Sequence, residues 1–240
     1  MTLPSKIDAS ADPRHRVIRR GRWLIVDFAE PREVLSWAIV GGGRRRVSAV
    51  AWYEVDEREL RPPVDPRRFL RQRMEEGGIA GAVGLLTSRN LDSYVDVQRT
   101  YGAWSARCIA TVGLSNALRA GDPPGPDGRI GTIGTINLLC SVSGALTDEA
   151  LVEALALAAE ARTAAILDAL LPSRMSGLPA TGTGTDCVVV SAAPEGPAAE
   201  YAGKHTVVGH LIGTTVTEAI GHGVRVWKSE RREKGSGDAR

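Results

Sequence analysis

The sequence predicts an α+β fold: a single mixed α/β sandwich domain in which β-sheet packs against a few long helices. Three observations predict it. Short runs rich in Val, Ile and aromatic residues recur between residues 23 and 192, separated by turn residues. Two later segments, 147–171 and 206–221, hold their apolar residues at helical spacing instead. The chain has 240 residues, 43% hydrophobic and 24% charged, which is the balance of one sizeable domain that buries a core in water.

The elements follow in chain order. Residues 1–20 carry Asp8, Asp12 and several arginines but no apolar stretch, so a disordered tail is expected rather than a secretory signal. Trp23-Leu-Ile-Val-Asp-Phe28, residues 34–40 and the alternating residues 47–55 read as strands. Gly41-Gly-Gly-Arg-Arg-Arg46 joins the last two as a hairpin connection; no helix follows it to make a phosphate loop. Residues 66–76 form a charged helix that stops at Gly77-Gly78. Strands are expected at 82–86, 94–99 and 104–112, and an irregular loop at Gly121-Asp-Pro-Pro-Gly-Pro-Asp-Gly128. After an apolar strand at 134–142, Thr147 caps a helix with Asp148 and Glu149 in its first turn. Leu151, Leu155, Ala158, Ala159, Ile166 and Leu170 form that helix's apolar set. A strand at 186–192 precedes the last helix, 206–221, which turns Val208, Leu211, Ile212, Val216 and Ile220 inward. Residues 227–240 are charged and end in Gly and Ser, so a second disordered tail is expected, with 21–226 as the domain.

Several function classes are disfavoured. No apolar run reaches 18 residues, so a membrane span is not expected. Cys108, Cys140 and Cys187 lie far apart among apolar neighbours, as reduced buried thiols of a cytoplasmic protein would. The first third of the chain is net basic and residues 134–222 are net acidic, although the total is only +2. The arginines alternate with acids and lack interleaved aromatics, so solvated faces that attract each other are expected, not nucleic-acid binding. His205 and His210 stand about 140° apart around a helix and no His-Glu-x-x-His spacing occurs, so neither a metal nor another cofactor is expected. Gly203-Lys-His-Thr206 lacks the upstream glycine of a phosphate loop, and there is no Gly-x-Ser-x-Gly elbow.

What remains is a concentration of small polar residues. Ala180-Thr-Gly-Thr-Gly-Thr-Asp186 alternates hydroxyls with glycines, which lets backbone N–H groups approach a ligand closely. Tyr201-Ala-Gly-Lys-His-Thr206 sets a cation beside an imidazole, and Asp186 stands at a strand mouth where it could orient either. Leu114-Ser-Asn-Ala-Leu-Arg119, containing Ser115 and Asn116, and Gly134-Thr-Ile-Asn137 place amides suited to reading neutral amide groups.

With Glu160-Ala-Arg-Thr-Ala-Ala165 these make five motifs which, in their order along the chain, resemble the adenosylcobinamide amidohydrolases of corrinoid salvage, and Ser36-Trp-Ala-Ile-Val-Gly-Gly-Gly43 adds weaker support. The likeness covers residues 80–222, with Arg162 where the family pattern has lysine. It implies an enzyme that hydrolyses the amide between aminopropanol and a corrin propionate, giving adenosylcobyric acid for coenzyme cobalamin synthesis. A non-catalytic corrinoid-binding module is the alternative. On the catalytic reading, His205 acts as base or acid, Asp186 orients it, and Lys204 assists electrostatically. Ser115, Asn116, Asn137, Glu160, Thr181, Thr183 and Thr185 contact substrate, and the backbone of 181–185 donates to the developing oxyanion. Whether water or a threonine attacks is left open, as is homo-oligomerisation.

Overall fold

In the computed structural model, residues 15–125 and 134–237 are described. The elements are β1 (His15–Arg20), β2 (Trp23–Ser36), β3 (Gly43–Glu54), α1 (Pro66–Glu76), β4 (Val83–Thr87), β5 (Val95–Tyr101), β6 (Trp104–Val112), β7 (Ala117–Leu118), β8 (Ile136–Val142), β9 (Ala145–Leu146), α2 (Asp148–Asp168), β10 (Gly182–Thr183), β11 (Cys187–Ala192), β12 (Ala198–Ala199) and α3 (Val207–Gly237). One sheet has the order β4-β3-β2-β11-β8-β6-β5, with β1 paired to β2; β7–β10 and β9–β12 form two small ribbons. In the main sheet only β3–β4 and β8–β11 run parallel.

Strand alternation builds the layers. Trp23, Ile25, Ala51 and Tyr53 point to one side, where they cluster with Leu70 and Met74 of α1. Leu24, Val26, Val50, Trp52 and Leu85 point to the other, where they meet Ile109, Leu139 and Val189. The neighbours of those three, Cys108, Ala110, Leu138, Cys140, Val188 and Val190, face away again and pack on Leu151, Ala158, Leu211 and Val216 of α2 and α3. Successive side chains of a strand leave opposite faces, so α1, two halves of one sheet and the α2–α3 pair form four layers. The fold is the α+β sandwich that the sequence predicts.

The expected cap forms, with Thr147 Oγ1 accepting from Ala150 N at 3.2 Å, and at the start of α1 Asp65 also caps, accepting from Arg67 N and Arg68 N. Four expectations are corrected. Residues 15–20 are not tail but β1, which returns on β2 through a two-residue turn with Gly21 at φ 56°. Residues 23–28 and 34–36 are one strand, interrupted by a register shift between Asp27 and Arg32 that accommodates Pro31. Leu170 is not inward but 79% exposed, at φ 51° just beyond the end of α2. The last helix does not stop at Gly221 but runs on to Gly237, replacing most of the second expected tail. Gly223 sits where a Cβ would overlap the Val112 side chain, so this glycine permits close packing on β6 instead of ending the helix. Residues 1–14 and 238–240 of the tails, and 126–128 of the Pro/Gly loop, lie outside the described residues.

The expected attraction between basic and acidic segments is realised in ion pairs of Arg44 with Asp148 and Arg46 with Glu195. Among the described residues, no helix is long and apolar enough to cross a membrane.

Candidate active site

Four of the small polar segments meet at one end of the sheet. β8 and β11 run parallel, pairing Asn137 with Cys187, so Gly134–Ile136 and Thr183–Asp186 arrive side by side. β10 pairs with β7, which ties the Thr-Gly run to Ala117–Leu118. Arg162 reaches in from α2.

Asp186 is the node of this arrangement, with its side chain 7% exposed. Its Oδ1 accepts from Ile136 N at 3.1 Å and from the Thr183 hydroxyl. Its Oδ2 accepts from Thr183 N at 3.0 Å and from Arg162 Nη1 at 2.8 Å. A carboxylate has about four acceptor positions, so all of them are used inside the protein. Burial pushes the carboxyl above the ordinary carboxylate range, opposed by the Arg162 charge and by the hydrogen bonds from Thr183 and Ile136. Gly182 is required beside it, because a Cβ there would overlap Asp186 Oδ2. The indole of Trp37, 43% exposed, donates to the Asp186 carbonyl at 2.6 Å.

The surrounding polar groups brace one another. Thr135 Oγ1 donates to Thr185 O at 2.7 Å, and Thr185 Oγ1 to Gly134 O at 3.3 Å. Thr181 Oγ1 accepts from Ala120 N at 2.8 Å while Thr181 N donates to Leu118 O. Asn137 is fully buried and donates to Leu86 O at 2.6 Å, across the sandwich. Asn116 is buried beside Gly134, and its Oδ1 has no partner among the described residues. Gly134 approaches Ser115 N and Asn116 N so closely that a Cβ would lie 2.8 Å from each.

The structure does not bring the remaining expected residues here. Lys204 Nζ pairs with Glu160 Oε2 at 2.8 Å, both side chains well exposed. Glu160 and Arg162 are two residues apart on α2, hence about 200° apart around it, so Lys204 and Asp186 meet different flanks of the helix. His205 is exposed beside Gly203. The expected Asp186–His205 pairing is therefore not formed; Arg162 and Thr183 take the carboxylate instead. The expected donor role of the 181–185 backbone also narrows, because Thr181 N and Thr183 N are already engaged.

Sequence reasoning passed over Arg162, Trp37 and Gly182 as functional residues, although all three lie inside motifs it quoted. The thiols are not reactive groups: burial and nearby Asp186 push Cys187 up to about 11, and burial pushes Cys140 up to about 12 and Cys108 higher. Among the described residues no group of three or more His, Cys, Asp and Glu is arranged to hold a metal ion.

A cleft of about 1840 Å³ opens next to this node. Gly113, Ser115 and Gly134, from the segments that meet at the node, line it together with Ser88, Arg89 and, from α3, Trp227, Glu230 and Arg231.

Residues 8–232 match the family described as adenosylcobinamide amidohydrolase. A protein of that name from Methanosarcina mazei is 30% identical over 206 residues, covering 81% of this chain and 89% of the relative. Another, from Halobacterium salinarum, is 40% identical over 124 residues, covering 48% of this chain and 50% of the relative. An uncharacterised protein of Methanocaldococcus jannaschii is 27% identical over 223 residues, covering 85% and 86%. Among solved structures, a Pyrococcus horikoshii OT3 protein is similar at a TM-score of 0.41 and 11% identity, covering 89% of this chain and 82% of that one.

Proposed function

The chain belongs to the adenosylcobinamide amidohydrolase family, and from this premise we propose that it hydrolyses the amide between aminopropanol and a corrin propionate, releasing adenosylcobyric acid. One observation carries the mechanism: the Thr183 hydroxyl donates to a buried carboxylate whose other acceptor positions are filled. Asp186 has no lone pair left for a water, so the proton within its reach is that of Thr183.

In this reading Thr183 Oγ attacks the amide carbonyl carbon as its proton passes to Asp186. The C–N bond breaks and the amine leaves with that proton, leaving an ester on Thr183. Water then cleaves the ester, giving the corrin carboxylic acid and restoring the hydroxyl. The backbone N–H groups of Gly184 and Thr185, in the turn that follows Thr183, are the donors proposed for the oxyanion. Arg162 keeps Asp186 ionised and in place. The cleft takes the corrin, and its volume and polar walls suit a large macrocycle fringed with amides. Lys204 and His205 take no step of the reaction in this assignment.

Incubation with adenosylcobinamide tests the reading through the appearance of free aminopropanol. Thr183→Val should lose at least about 10³-fold in turnover while still binding the corrinoid; Thr183→Ser should retain activity and His205→Ala most of it. A Thr183→Val variant that still turns over removes the threonine as nucleophile. Binding without turnover in the native chain would leave a corrinoid-binding module.

A further inference from the structure

One wall of the cleft comes from the part of α3 that a helix ending at Gly221 would not supply. It is anchored there. Lys228 Nζ donates to Ala169 O at 2.8 Å, and Glu230 forms a two-pronged ion pair with Arg89, whose side chain is 11% exposed. Ser93 Oγ adds a third hydrogen bond to Glu230 at 3.0 Å. On this fixed wall Trp227 is half-buried, with the Arg231 guanidinium 4.9 Å from its ring centroid. Arg231 lines the same cleft as Trp227.

An indole held rigidly between charged groups fits a flat heteroaromatic with polar edges. Adenine is such a ring: it has a π-face for stacking, ring nitrogens that accept, and an exocyclic amine that donates. A corrin's rim of methyls and amides matches a single indole less well. Resting on the reading that a corrinoid occupies this cleft, we propose that Trp227, backed by Arg231, is the stacking platform for the adenine of the substrate's adenosyl group. The end of α3 thereby selects adenosylated over non-adenosylated corrinoids. Ser115 and Gly134, which line the same cleft and belong to the segments around the Thr183–Asp186 node, take the amide arm in this proposal, so one cleft reads both features of the molecule.

The test compares dissociation constants of adenosylcobinamide and dicyanocobinamide by equilibrium dialysis. Trp227→Ala should weaken adenosylcobinamide about tenfold, the order of one lost base–aromatic stack, and leave dicyanocobinamide unchanged; Trp227→Phe, which keeps a ring, should recover most of the difference. In the native chain, 5′-deoxyadenosine should compete with adenosylcobinamide and not with dicyanocobinamide, a measurement that depends on no variant. Equal weakening of both corrinoids, no weakening, or no competition by 5′-deoxyadenosine overturns the assignment of Trp227 while the cleft reading stands. A native chain that binds neither corrinoid overturns both.

Discussion

Asp186 has no use for a second cation: its carboxylate is already balanced between burial, which favours the neutral acid, and Arg162, which favours the anion. A base must be ionised to accept the Thr183 proton, so the acid limb of kcat/KM should report this balance and lie above the ordinary carboxylate range. Removing the cation in Arg162→Met raises the carboxyl further, so that limb should move to higher pH. Arg162→Lys keeps the charge without the fork and should move it less. A limb that stays in place in Arg162→Met would mean Asp186 is not the titrating base. Gly182→Ala probes the same node sterically, since the new methyl overlaps Asp186 Oδ2. Displacing the carboxylate should cost roughly 100-fold or more in turnover and about 1–3 kcal/mol in stability, checked by steady-state rates and urea unfolding.

The C-terminal turns of α3 set the terms at the scale of elements. Truncation after Val226 removes the packing of Trp227, the Lys228–Ala169 hydrogen bond and the partner of Arg89, which is left buried and unpaired. The expected loss is about 3 kcal/mol, or roughly 6–12 °C in Tm for a domain of this size, with weakened corrinoid binding. An unchanged Tm would show that the extension is not docked. The same helix shows where the sequence is legible and where it is not. Val47–Val55 and Trp104–Val112 are readable as strands because each buries apolar side chains on both faces. α1 announces itself by a charged stretch that stops at Gly77-Gly78, and α2 by Thr147 as cap. Gly221 reads as a stop, yet the helix continues and Gly223 serves an approach to Val112 that only the folded packing reveals. β1 is hidden for a related reason: only Val17 and Ile18 pack among its arginines, and pairing with β2 decides its conformation. At the site, Asp186 is visible as a carboxylate at a strand mouth. Its partner is not, because spacing along the chain does not say which flank of α2 Lys204 and Arg162 each occupy.

The halves of the sandwich are joined by strands that belong to both. The first part of β2 pairs with β1 and β3, while its last residues, Glu33–Ser36, pair with β11 and carry β3 with them. Asn137 in β8 donates across the layers to Leu86 in β4, and Arg44 and Arg46 of β3 reach Asp148 and Glu195 of the acidic segment. Separating the halves would break a continuous strand and expose the cluster between them, including the fully buried Trp52. The site has the same dependence: beside its neighbour Thr183, Asp186 gathers Ile136 and Arg162 from distant stretches of chain, so the full geometry needs the whole fold. The chain should therefore unfold as one cooperative unit, with urea midpoints by far-UV circular dichroism, tryptophan fluorescence and turnover coinciding. Fluorescence is a demanding probe here, because Trp23 and Trp52 report on the β1–β4 half while Trp104 and Trp227 report on the helical side. Turnover lost well before the circular dichroism signal would mean that the node opens locally, and two separated fluorescence transitions would mean that the halves are independent despite β2.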